Sequence, residues 1–225
     1  MTISVSEAMA RRKSIRAFKN TPVETSMILE LLEKASRAPS GGNVQPWRIA
    51  VINGGTMDRF RSLMESKLSD NPLENTETPQ YRVYPPKLKE PFRTSRFEVG
   101  EAMYGLLGIS REHRAERLKW FSNNYRFFGA PAAIFCFVDR IMGPPQWSDL
   151  GMFLQSFMLL AQEAGLSTCP QECWAAYPET VSNFCDVEPE LMLFCGVAIG
   201  HAKTEAPVNN LVTRREPLEN WTKII

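Results

Sequence analysis

Between Arg11 and Arg16 the chain places four cationic side chains and one hydroxyl within six residues, Arg11-Arg12-Lys13-Ser14-Ile15-Arg16. Guanidinium forks and a hydroxyl match the oxygens of a phosphomonoester dianion through charge-assisted, partly bidentate hydrogen bonds. The same residues also suit a solvated basic helix end, where cations complement the helix dipole. A second cluster follows, Ala38-Pro39-Ser40-Gly41-Gly42-Asn43-Val44-Gln45-Pro46-Trp47. Its glycines let the backbone approach a flat ligand closely, and Asn43 and Gln45 offer both donors and acceptors. Read structurally, it is a loop that ends a helix at Pro39 and starts a strand, with Trp47 entering the core.

Together the two clusters resemble the FMN-dependent nitroreductase family. Arg11-Arg12-Lys13-Ser14-Ile15-Arg16-Ala17-Phe18 approximates its N-terminal signature, and Ala38 to Trp47 matches the signature Ala-Pro-Ser-x-x-Asn-x-Gln-Pro-Trp without change. Gly165-Leu166-Ser167-Thr168-Cys169-Pro170-Gln171-Glu172 and Pro207-Val208-Asn209, leading to Arg215-x-Pro217-Leu218, also look like the family. The four matches run in order along nearly the whole chain.

The resemblance implies an FMN cofactor, with NADH or NADPH as reductant and a ping-pong reduction of nitroaromatic or quinone-like acceptors. It implies that Arg12, Ser14 and Arg215 hold the FMN phosphate. Arg16 would stand by the pyrimidine edge, where reduction accumulates negative charge that a fixed cation stabilises. Pro39, Ser40, Gly41, Asn43 and Gln45 would approach the ribityl chain and ring from a second subunit. The backbone at Pro170, Gln171 and Glu172 would meet the reactive nitrogen, and Lys13 and Asn123 complete the expected flavin contacts. No protein general acid is named, because the chemistry belongs to the cofactor. Relatives that dehalogenate iodotyrosine or fragment flavin, and a non-catalytic flavin-binding protein, are the alternative readings.

The elements that must position these residues follow from periodicity. Ser4 to Arg12 reads as a short helix that delivers the basic cluster at its C-terminal end. From Glu24 to Arg37, Met27, Ile28, Leu31, Leu32 and Ala35 recur at helical spacing. Residues 47–53, 132–138 and 192–199 read as strands, and 56–68, 97–107 and 111–123 as helical. Trp147 to Ala164 is apolar nearly all round, which suits either a core or a subunit interface, and Gly165 fits the position just past its end. Residues 69–96 are polar and rich in proline, as expected of a lid, an arm or a disordered stretch. Residues 69–120 are therefore expected to form a lid or insert, where Tyr81, Tyr84, Phe92, Phe97, Tyr104 and Trp120 could stack on an aromatic acceptor or simply pack. Residues 203–225 lack periodicity and read as an extended C-terminal arm. The expected fold is α+β, with a mixed central sheet flanked by helices in an intertwined homodimer, the dimer being implied by the resemblance.

Composition bounds the remaining possibilities. The chain has 225 residues, 44% hydrophobic, enough for one sizeable core, so residues 1–225 are expected to form a single domain. A net charge of +1, with acids interleaved among the bases, gives no field for nucleic acid. The apolar runs are too short for a membrane span, and no secretory core opens the chain, so a cytoplasmic protein is expected. Cys136, Cys169, Cys173, Cys185 and Cys195 form no disulfide framework, and the two histidines, His113 and His201, stand at no zinc-type spacing, so no metal is expected. Asn220-Trp221-Thr222 matches a glycosylation acceptor, without weight in a cytoplasmic chain. No Gly-x-Gly-x-x-Gly after a strand, phosphate-loop lysine motif or Gly-x-Ser-x-Gly elbow is present.

Overall fold

The computed structural model describes residues 3–68, 74 and 76–225. The elements are α1 (Val5–Arg11), α2 (Thr25–Ala35), β1 (Arg48–Asn53), α3 (Gly54–Lys67), α4 (Phe92–Leu106), α5 (Arg114–Phe121), β2 (Ala132–Asp139), α6 (Pro144–Glu163), β3 (Ser167–Gln171), α7 (Pro178–Cys185) and β4 (Leu191–Gly200).

Four strands form one sheet in the order β1-β2-β4-β3, and every pairing between them is antiparallel. The expected mixed character reduces to an isolated parallel bridge between Ser14 and Thr168. No periodicity marks β3, because Pro170 and its polar neighbours do not look like a sheet interior. It is an edge strand, where proline is tolerated.

The core lies on both faces of the sheet, and β2 shows why no polar residue alternates along it. Ala133, Phe135 and Phe137 point to one side, into a cluster of Phe60, Tyr125, Phe127, Trp174 and Tyr177. Ala132, Ile134, Cys136 and Val138 point to the other, against Ile28 and Leu31 of α2 and Leu150, Phe153 and Phe157 of α6. A strand buried on two faces keeps its period of two while losing its polar signal. The α6 residues Leu150, Phe153, Leu154, Phe157, Met158 and Ala161 are buried within the chain, whereas Met152 is exposed. Gly165 takes φ +76°, closing α6 as its position suggested.

Ser4 caps the start of α1 by accepting the Glu7 N–H at 3.2 Å, and Glu7 returns the contact to the Ser4 N–H at 2.9 Å; the helix ends where Arg12 turns extended. The opening of the expected lid, 69–73 and 75, lies outside the described residues. The part that follows is fastened to the body. Glu77 accepts the N–H groups of Glu179 and Thr180 at 2.7 and 3.1 Å at the start of α7, and Gln80 accepts the Leu193 N–H at 3.1 Å. Helix α4 starts at Phe92, five residues before the expected point, and is tied to α5 by a bidentate Arg117–Glu101 pair at 2.6 and 3.2 Å. Among the described residues no helix is long and apolar enough to cross a membrane.

Candidate functional site

The basic segment lies along the open edge of β3. Ile15 donates its N–H to the Thr168 carbonyl at 3.0 Å, beside the Ser14–Thr168 bridge, so the basic segment touches β3 at Thr168, next to Cys169. The Cys169 thiol registers this proximity. Burial pushes it up to about 11, against the positive charges of Arg16 and Arg12, which draw it down. Arg11 pairs with Glu7 at 3.4 Å, whereas among the described residues no carboxylate lies within ion-pair distance of Arg12, Lys13 or Arg16. Three cations without an acid partner thus stand within five residues of one another, a chemistry suited to an anion.

Arg16 and Asn123 come together in a cavity of about 590 Å³, lined also by Arg61, Trp120 and Arg126. Arg61 and Arg126 carried no sequence signal, since each lies far from the basic cluster along the chain. Arg126 is held by Glu65 at 2.8 and 2.9 Å and by Ser122 at 2.6 Å, and Arg61 donates to the Ala130 carbonyl at 2.5 Å. Of the six aromatic residues proposed for an acceptor, Trp120 alone lines this cavity. Tyr81 is packed against Trp147 and Phe194 and donates its hydroxyl to the Phe194 carbonyl. Tyr84, Phe97 and Tyr104 lie beneath the guanidinium groups of Arg96, Arg111 and Arg117, and Phe92 is exposed.

Gln171 is buried, and its Nε2 donates to the Asn124 carbonyl at 2.7 Å. That side chain is committed to Asn124, so any contact Gln171 offers a ligand falls to its main chain. Pro170 and Glu172 stand exposed on either side of it. Surrounding protein raises the Glu172 carboxyl above its ordinary value by desolvation, although part of the side chain still reaches solvent.

The glycine loop stands on a different support. Gly41 donates its N–H to the buried Asp149 carboxylate on α6 at 3.2 Å, and Trp47 stacks on Phe153 at 4.8 Å. Ser40 Oγ accepts the Gln45 N–H at 3.0 Å, and Gln45 Nε2 donates to the Asn43 carbonyl at 3.1 Å. Gly42, Asn43 and Gln45 all have positive φ, an arrangement that turns the exposed loop sharply above α6. Pro39 leads into it from α2. Among the described residues no hydrogen bond or ion pair joins residues 39–45 to residues 12–16. Arg215 is likewise separate: it lies on the C-terminal arm, donates to Thr213 at 2.6 Å, and lines a cavity of about 490 Å³ with α4.

This arrangement, a four-stranded antiparallel sheet with a basic segment bridged to one edge and a glycine loop seated on α6, has a family. The chain belongs to the nitroreductase family, which it matches over residues 9–201. A 4-nitrobenzoate reductase of Pseudomonas putida is 32% identical over 225 residues, covering 99% of this chain and 96% of that protein. The crystal structure of the FMN and NADPH-dependent nitroreductase NfnB from Sphigopyxis sp. strain HMH superposes with a TM-score of 0.94 at 45% identity, over 99% of both chains. The FMN-dependent nitroreductase NfnB of Mycobacterium smegmatis, in complex with NADPH, superposes with a TM-score of 0.86 at 25% identity, over 99% of this chain and 100% of that one.

Proposed function

We propose that the protein is an FMN-dependent oxidoreductase that uses NAD(P)H to reduce nitroaromatic or quinone-like acceptors. The observation that carries this reading is the uncompensated trio Arg12, Lys13 and Arg16 on a segment bridged to the edge of β3 at Thr168, with Arg16 opening into the cavity of Asn123 and Trp120. These residues suit FMN chemically: cations and a hydroxyl for its phosphate, and a cation with an amide at the cavity for its ring. When bound, FMN supplies the two-electron chemistry, taking reducing equivalents from NAD(P)H and passing them to the acceptor in a ping-pong sequence.

The chain's own residues do the rest. Arg12 and Ser14 neutralise and orient the phosphate, with Lys13 adding charge; Arg215, apart from them within one chain, joins them only once the arm moves or a second subunit supplies it. Arg16 stabilises negative charge developing at the pyrimidine edge, and Asn123 fixes that edge by hydrogen bonding. Main chain at Pro170, Gln171 and Glu172 holds the ring's reactive side, and the 69–120 region covers the acceptor, with Trp120 as its aromatic surface. Pro39, Ser40, Gly41, Asn43 and Gln45 act across a homodimer boundary. Supporting the dimer, Val5 and Met9 of α1, Met152 of α6, and Val212, Leu218, Trp221, Ile224 and Ile225 of the 203–225 arm stand exposed on the single chain. The five free cysteines fit the reducing cytoplasm.

The test is a spectrum. Purified protein is expected to be yellow, to bleach anaerobically with NADPH or NADH, and to recolour with a nitroaromatic. Colour that stays fixed through both additions would leave a flavin carrier, not a reductase. Diluting the protein until subunits separate is expected to release FMN, and a demonstrated monomer that retains FMN would remove the shared site.

A further inference from the structure

Arg16 is held at main-chain level by a side chain from the far end of the sequence. Asn209 is only 4% exposed. Its Oδ1 accepts the Arg16 N–H at 2.8 Å, and its Nδ2 donates to the Ala17 carbonyl at 2.8 Å and to the Lys203 carbonyl at 2.9 Å. One amide orientation alone satisfies all three partners; reversed, it would set its NH₂ against an N–H and its oxygen against two carbonyls. Aspartate at this place keeps the acceptor and loses both donors. Alanine leaves three buried backbone groups without this partner.

We propose that Asn209 is a positioning residue that sets where the Arg16 cation stands and couples that placement to the C-terminal arm. The inference rests on the FMN reading for its effect on flavin. The neighbouring N–H groups use backbone partners: Ile15 bonds to Thr168 at 3.0 Å, Phe18 to Phe128 at 3.4 Å and Lys19 to His201 at 2.8 Å. Arg16 depends on a side chain instead. Its guanidinium has one weak contact, to the Ser14 carbonyl at 3.4 Å, and no acid partner among the described residues, so its backbone decides its position. A charge acting on a ligand loses much of its effect when displaced by about 1 Å. The same amide grips Lys203, where the arm begins, so the arm's departure and the Arg16 backbone share one anchor.

The test uses the full-length protein as Asn209→Ala and Asn209→Asp. Asn209→Ala is expected to exchange the Arg16 amide hydrogen about tenfold faster, to weaken FMN binding about tenfold, and to lower the midpoint potential of the bound flavin. Val181→Ala, a core truncation in α7, supplies a destabilised control whose flavin potential should not move. Asn209→Asp, the closer replacement should alanine fail to fold, is expected to keep the Arg16 amide protected while the arm becomes more sensitive to protease. Unchanged Arg16 exchange in Asn209→Ala, a potential that follows the control, or lost Arg16 protection in Asn209→Asp would overturn the proposal. A wild-type protein that binds no FMN would sink the flavin reading instead, and Arg16 exchange would still report on Asn209.

Discussion

The buried carboxylate of Asp149, on the central helix α6, accepts the Gly41 N–H at 3.2 Å and so fastens the glycine loop to the core. Because Gly41 itself is exposed and can turn to water, losing its acceptor costs about 0.5–1.5 kcal/mol. Asp149→Ala is therefore expected to destabilise the fold by about that amount and to speed exchange of the Gly41 amide. Destabilisation with Gly41 exchange untouched would make Asp149 a packing residue of α6 with no part in holding the loop.

Arg12 lies one residue beyond α1, so its replacement should spare the helix. Arg12→Ala is expected to weaken FMN binding by roughly tenfold to a hundredfold, the loss of one charge-assisted contact. Circular dichroism should stay at the wild-type level. Equal FMN affinity in the two proteins would take Arg12 out of the phosphate site.

Gly196 on β4 faces the indole of Trp174, and a Cβ built there would meet Trp174 Cδ1 at 2.5 Å and Nε1 at 2.7 Å. Both Trp174 and its ring neighbours Phe135 and Phe127 are fully buried, so the ring has little room to yield. Gly196→Ala is expected to cost about 1–3 kcal/mol by overpacking. Denaturant unfolding checks this, and wild-type stability would mean that Trp174 can repack.

Glu172 gives a pH signature. Because desolvation raises its carboxyl above the ordinary value, the folded chain holds this proton more tightly than the unfolded one. Its contribution is thus most favourable below the unfolded pKa and is lost as pH rises through the folded one. Glu172→Gln removes that loss. The variant's stability relative to wild type should improve between about pH 4 and about pH 7. Urea midpoints that differ by the same amount at both values would contradict a perturbed Glu172.

Much of this was legible locally. Apolar spacing marked α2 and α6, Gly165 marked the end of α6, and β1, β2 and β4 fall within a residue or so of the expected spans. The two clusters singled out the basic segment and the glycine loop, without showing the sheet edge that the basic segment meets. What escaped depended on contacts distant in sequence. Asn209 reaches Arg16 across 193 residues and Asp149 reaches Gly41 across 108, and neither residue differs locally from an ordinary turn or helix polar group. Strand β3 was hidden by Pro170, which only an edge accepts. The lid aromatics could not be sorted because each of Tyr84, Phe97 and Tyr104 finds its arginine through folding.

Strand β3 ends the sheet, and Ser14 and Ile15 meet its outer edge at Thr168. An unguarded border of this kind invites foreign strands to attach. The segment that carries the binding cations thereby shields the protein against self-association, so a lesion that unseats it would threaten solubility as well as turnover.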